Sequence, residues 1–148
     1  MKLRELIKHK GSNVLSISAD ATLVEAARQL TQHRIGAMII LDDDNGLIGI
    51  LSERDVAKAF GQHGAAATNI VVSAVMSQNV ITCRLDHDIL ELFRIMVDNN
   101  IRHLPAVDNG TVIGMLSIRD ISRALVDQLA GDNSDLKKLL IALSPNAA

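Results

Sequence analysis

Aromatic side chains are nearly missing from this chain. There is no tryptophan and no tyrosine, and Phe60 and Phe93 are the two phenylalanines. Proteins that hold single-stranded nucleic acid without reading its sequence stack bases on aromatic rings, so that mode is disfavoured. An excess of charge of one sign is missing too. Lys and Arg number 15 against 17 Asp and Glu, a formal net charge of -2, and no basic run exists that could track a phosphate backbone. Cys83 is the single cysteine, so no internal disulfide can form. No apolar run approaches the roughly 20 residues of a membrane-spanning helix. The opening stretch MKLRELIKHK is charged throughout and lacks the apolar centre of a signal peptide. These absences together lead us to expect a cytoplasmic protein with no nucleic-acid and no membrane partner.

What is present is aliphatic and repeated. Hydrophobic residues make up 48% of the 148 residues and charged ones 22%, the balance of a folded globular chain. DATLVEAARQLTQHRI from Asp20 and DHDILELFRIMVDNNI from Asp86 are related by an offset of 66, which holds from Val14 and Val80 through Asp42 and Asp108. The offset becomes 64 at Gly46 and Gly110, then 65 at Gly49 and Gly114, Ser52 and Ser117, and Asp55 and Asp120. The slips fall in or beside a turn, where length changes are tolerated. We therefore divide the chain into a first repeat over 1–65, a second over 66–130, and a C-terminal helix and tail over 131–148.

Each half reads as strand, helix, strand, turn, strand, helix. Residues 13–18 are a short β-rich run. Thr22 with Glu25 forms a capping box at the start of a helix, and Asp88 with Glu91 stands at the same place in the second half. Ala37 to Leu41 is a short buried strand. The Asp-Asn-Gly turns ending at Gly46 and Gly110 are hairpin signals, leading into return strands over Leu47 to Leu51 and Thr111 to Leu116. Short amphipathic segments, Leu3 to Ile7 and Val72 to Met76, precede the halves. A Gly- and Ala-rich connection covers Gly61 to Thr68, and a last helix is expected over Leu136 to Leu143. The fold class is α/β (α+β), with two βαββα repeats packed about a pseudo-twofold axis, because one half alone is too small to cover its own sheet.

Two segments carry candidate chemistry: Gly49-Ile50-Leu51-Ser52-Glu53-Arg54-Asp55 and Gly114-Met115-Leu116-Ser117-Ile118-Arg119-Asp120. Both stand where a strand runs into a helix, whose N-terminus suits a phosphate. Ser adds a hydroxyl, Asp can accept from both hydroxyls of a ribose, and Arg54 and Arg119 add positive charge. Ser-x-x-Asp is equally a plain capping box. Met once, it reads as a cap; met twice and in phase, it supports more than capping, without by itself establishing a nucleotide.

This pattern, closing a βαββα repeat twice, resembles the tandem cystathionine-β-synthase (CBS) domain pair, or Bateman module, of the free-standing bacterial type. Ile101-Arg102-His103-Leu104-Pro105 and Val75-Met76 before Asn79-Val80-Ile81-Thr82 strengthen the likeness, which covers roughly Met1 to Leu129. The resemblance implies a regulatory, signal-transduction module that binds AMP, ADP, ATP, NAD or S-adenosylmethionine in two clefts. It also implies that Asp holds ribose and Ser holds phosphate. By that pattern one cleft combines Ser117, Arg119 and Asp120 with Leu15, Ile35 and Gly36. The other combines Ser52, Arg54 and Asp55 with Ile81, Ile101, Arg102 and His103, and this second cleft has the larger positive complement. The block Ile89 to Val97 is apolar on more than one helical face, which, with the resemblance, points to a homodimer. An unidentified regulated protein completes the expected partners. A ligand-free structural or dimerisation adaptor is the alternative.

Other signals carry less. The five histidines have no metal-ligand spacing. Asp42 to Gly46 fails as a calcium loop, because Leu41 and Ser52 would stand where carboxylates are needed. No nucleophile, base pair or metal cluster is legible, so no catalytic residue, catalytic cofactor or metal is expected and the chain is read as a non-enzyme. Cys83 is expected as a buried thiol in a strand.

Overall fold

The computed structural model describes residues 1–11, 14–131, 138 and 141–142. Its first half runs α1 (Leu3–Lys10), β1 (Ser16–Ile17), α2 (Leu23–His33), β2 (Ala37–Leu41), β3 (Leu47–Ser52) and α3 (Glu53–His63). Two 3-10 turns follow, Gly64–Asn69 and Val72–Ala74, then α4 (Ile89–Asp98), β4 (His103–Asp108), β5 (Thr111–Ser117) and α5 (Ile118–Leu129). The mixed α+β architecture is the expected one. The connection expected over Gly61 to Thr68 is itself helical, since alanine favours helix and Ala67 is fully buried. The expected closing helix over Leu136 to Leu143 lies mostly outside the described residues; Lys138, Ile141 and Ala142 are helical. Residue 13, the start of the first β-rich run, is likewise outside them. No helix among the described residues is long and apolar enough to cross a membrane.

The sheets repeat each other with one difference. In the first half β1 pairs parallel with β2, and β2 antiparallel with β3. In the second, β4 and β5 pair antiparallel, but the counterpart of β1 shrinks to one bridge, Cys83 to Ala106. The reason is a proline. The Ile39 N–H donates to Leu15 O at 3.1 Å and ties β1 to β2. Pro105 holds the position of Ile39 in the second half and has no N–H to donate. The remaining bonds, Cys83 N–H to Pro105 O at 2.9 Å and Val107 N–H to Cys83 O at 2.8 Å, make a bridge and not a strand. Burial pushes the Cys83 thiol up to about 12.

The turns and caps follow local chemistry. Asn45 and Asn109 adopt φ of 61° and 48° in the two hairpin turns, a conformation Asn tolerates. Thr22 and Glu25 make both bonds of a capping box. Asp88 caps α4 differently from expectation. Its carboxylate accepts from Leu90 N–H at 2.9 Å and faces the amino terminus at 3.5 Å, and Asp88 takes the place of the expected box with Glu91.

Each half has its own buried cluster, and each is covered by the lead-in segment of the other. Leu3, Leu6 and Ile7 of α1 pack with Cys83, Leu92, Met96, Leu104 and Leu116 of the second repeat. Leu3 N–H donates to His87 O at 2.9 Å and Arg4 N–H to Leu85 O at 3.1 Å. Conversely Ile70, Val72, Val75 and Met76 pack with Leu23, Leu30, Met38 and Leu51 of the first repeat. Val72 N–H donates to Ala21 O at 2.8 Å, and Ser77 and Ile50 exchange bonds at 3.0 and 3.1 Å. This exchange ties the halves into one unit and brings the ends of α1 and of the 74–77 segment onto the opposite repeats.

Candidate functional site

Both Ser-x-x-Asp segments fold as reciprocal caps. Ser117 N–H and Oγ–H donate to Asp120 Oδ2 at 2.9 and 2.7 Å, and Asp120 N–H donates back to Ser117 Oγ at 3.2 Å. At the start of α3 the same three bonds join Ser52 and Asp55 at 2.8, 2.9 and 3.2 Å. The structural role of these residues is therefore complete in both repeats. What differs is their surroundings.

A cleft of about 1020 Å³ opens beside Ser117. The expected set of Leu15, Ile35 and Gly36 from the first repeat, with Ser117, Arg119 and Asp120 from the second, lines it. Arg102 and His103, expected beside Asp55, line this same cleft instead. The relevant strand starts lie close together: His103 Nε2 sits where a Cβ on Gly36 would be 2.7 Å away, and Glu53 Oε1 would be 3.7 Å from that Cβ. Ser52, Arg54, Asp55, Ile81 and Ile101 do not line this cleft. The larger positive complement thus belongs to the Ser117 side, which reverses the expectation from sequence.

Three further charged lining residues escaped sequence reasoning: Lys10, Arg34 and Glu53. Lys10 makes an ion pair with Asp120 Oδ2 and donates to Met115 O at 2.6 Å. It arrives there because α1 packs on the second repeat. Arg34 ends α2 at φ 52°, in the left-handed region. Its counterpart Asn100 has the same φ of 52°, so an arginine where asparagine suffices was a readable signal. Glu53 follows Ser52 and brings the cleft's second carboxylate beside Gly36, near enough for its charge to act on His103. Four cationic side chains, Lys10, Arg34, Arg102 and Arg119, therefore face two carboxylates, Glu53 and Asp120.

The electrostatics favour an anion at this place. Burial works against ionisation of Asp120, but Lys10 and the Ser117 bonds outweigh it and hold the carboxyl below the usual range. Burial, seconded by Arg102, holds the His103 imidazole below its ordinary value, so it is neutral at pH 7 and can donate or accept. The wall from Leu15, Ile35 and Val56 is apolar. A ligand that combines a flat apolar group, a diol and an anion matches that arrangement. Among the described residues no group of three or more His, Cys, Asp or Glu could hold a metal ion.

The family model described as the CBS domain matches this chain twice, over residues 4–62 and 72–127. The chain belongs to the CBS-domain family. The CBS-domain protein ATU1752 of Agrobacterium tumefaciens superposes with a TM-score of 0.83 at 35% identity, covering 85% of this chain and 100% of that one. The CBS pair of protein MJ0100, solved in complex with 5'-methylthioadenosine and S-adenosylmethionine, has a TM-score of 0.76 at 26% identity, covering 86% of this chain and 98% of that one. A mitochondrial CBS-domain protein of Arabidopsis thaliana, CBSX3, is 30% identical over 134 residues. This chain spans 65% of CBSX3 and 23% of another Arabidopsis relative, CBSCBSPB2. In this CBS pair both repeats keep the Ser and Asp, while one cleft gathers the cations.

Proposed function

We propose that this CBS pair is a sensor that binds an adenine nucleotide, AMP, ATP or NAD, in the Ser117 cleft. The observation that carries this reading is the convergence of Lys10, Arg34, Arg102 and Arg119 on a cleft that also holds an apolar wall and the Asp120 carboxylate. The volume is at the upper end of small-molecule sites. Asp120 receives the ribose diol, and the cations with the α5 N-terminus receive phosphate. The ligand complex of the MJ0100 pair supports an adenosine-type ligand in a related fold. Binding between the repeats shifts their packing or that of a homodimer, and a regulated partner in the cytoplasm responds; such coupling requires that the ligand prefer one arrangement. The module has no catalytic role in this reading.

A second reading has its own support. The two capping boxes are complete as they stand, and Lys10 already neutralises Asp120, which is what a ligand-free structural adaptor requires.

Calorimetry with AMP and 2'-deoxy-AMP separates the two. Under the sensor reading wild type prefers AMP, because a carboxylate built for two hydroxyls loses a charged hydrogen bond of ~1.5–3 kcal/mol when one is absent. Asp120→Ala abolishes that preference while costing about 0.5–2 kcal/mol of stability as a lost cap. Absence of binding by any adenine nucleotide supports the adaptor.

A further inference from the structure

Three donors converge on one oxygen of Asp120. Ser117 N–H, Ser117 Oγ–H and the Lys10 ammonium all go to Oδ2, and no hydrogen bond among the described residues reaches Oδ1. A carboxylate oxygen has about two lone-pair sites, so Oδ2 is fully subscribed. A ribose diol that donates one hydroxyl to each oxygen needs Oδ2 to release a donor. The Ser117 donors are held by the cap of α5. Lys10 reaches in from α1, 110 residues away in sequence, on a flexible side chain.

The other repeat supplies an internal comparison. The backbone pairing fixes which lead-in residues correspond: Leu3 N–H donates to His87 O as Val72 N–H donates to Ala21 O, and Arg4 N–H to Leu85 O as Ser73 N–H to Ala19 O. Ile7 is therefore the counterpart of Met76, and each lies over the glycine of the opposite return strand, Ile7 Cδ1 3.6 Å and Met76 Sδ 2.5 Å from where a Cβ on Gly114 or Gly49 would stand. Lys10 lies one turn beyond Ile7 and adds an ammonium to Asp120. The Asp55 carboxylate accepts from Ser52, and among the described residues no ion pair reaches it. An ammonium on one carboxylate and none on the other distinguishes the two Asp sites by ligand chemistry.

We infer that Lys10 is the specificity-determining residue of the Ser117 cleft: it occupies the ribose carboxylate when the cleft is empty and transfers to the ligand's phosphate when it is filled. This rests on the sensor reading above. An uncharged nucleoside must break the Lys10–Asp120 pair and leaves the ammonium unpaired in a half-buried cleft. A nucleotide breaks the same pair and restores it with a phosphate oxygen. Lys10 thereby selects phosphorylated adenosine against adenosine itself, and the loosened hold on Met115 O reports occupancy to α1 and the second core.

The test is calorimetric titration of wild type, Lys10→Met and Lys10→Gln with AMP and with adenosine. Lys10→Met keeps an unbranched side chain at this place and removes the ammonium. The preference for AMP over adenosine should fall about tenfold or more, the equivalent of one charged hydrogen bond. Weaker AMP and tighter adenosine should both contribute, and Lys10→Gln should fall between. If both ligands weaken by one common factor, or the preference stays unchanged, Lys10 merely supports Asp120 and the inference is overturned while the sensor reading stands. If wild type binds neither adenosine nor any of AMP, ATP and NAD, the sensor reading fails and the inference with it. Cooperative melting of each variant checks the fold.

Discussion

The imidazole of His103 rests against Gly36, across the junction of the two repeats: a methyl group on Gly36 would lie 2.7 Å from Nε2 and 2.9 Å from Cε1. Glycine is required here for closeness of approach, and its φ is unremarkable. Gly36→Ala should therefore drive the ring into the cleft. The expected stability loss is about 1 kcal/mol, at the low end for overpacking because the ring has open space on its far side. Affinity for AMP should fall by a larger factor than that loss explains, as measured by calorimetry beside thermal melts.

The same histidine sets a pH dependence. Its imidazole is held below the ordinary 6.5, by burial first and then by Arg102, with Glu53 opposing. The unfolded chain takes up this proton before the folded one does, so stability should decline as pH falls below about 6.5. Asp86, Asp88 and Asp120 are held below 3.8. Their contributions are present above that value and are lost as pH falls through their lower folded values. Urea melts of wild type and His103→Gln should diverge in their pH dependence as pH falls below about 6.5, with wild type losing stability more steeply.

Arg34 holds a left-handed backbone at φ 52° where the second repeat uses Asn100. That conformation costs an ordinary L-residue roughly 1–2 kcal/mol, and less for Asn. Arg34→Asn should then leave stability unchanged or raise Tm by about 2–4 °C, while weakening nucleotide binding. A variant that gains stability and loses affinity identifies Arg34 as a residue kept for the cleft. A loss of stability without loss of affinity identifies it as a helix cap.

Helix α4 buries Ile89, Leu92 and Met96 and exposes Leu90 and Val97 at 44% and 55%. We expect this exposed face to lie near a homodimer interface. Leu90→Glu and Val97→Glu should halve the mass seen by light scattering with little change in the fold, since exposed substitutions fall within about 0.5 kcal/mol. Leu92→Ala should instead cost about 2–5 kcal/mol. A 16 kDa monomer for wild type at micromolar concentration would refute the dimer.

The features legible in the linear chain were those set by neighbours within about one turn. The repeat, the boxes at Thr22, Ser52 and Ser117, and the Asn-Gly hairpins depend on hydrogen bonds across two to four residues, so residue type and spacing specify them. Even the loss of the first strand of the second repeat is a local matter, since Pro105 has no N–H, although which bond it forfeits shows only once Ile39 is seen to donate to Leu15. The composition of the cleft was decided by tertiary structure alone. Arg102 and His103 face Asp120 and not Asp55 because their strand starts beside Gly36 of the other repeat. Lys10 reaches Asp120 across 110 residues because α1 covers the second core and not the first. An amphipathic helix advertises that it must bury one face, but the hydrophobic effect is non-directional. Which apolar surface receives that face, and hence which charges it carries into which cleft, is fixed only by the packing of the whole chain.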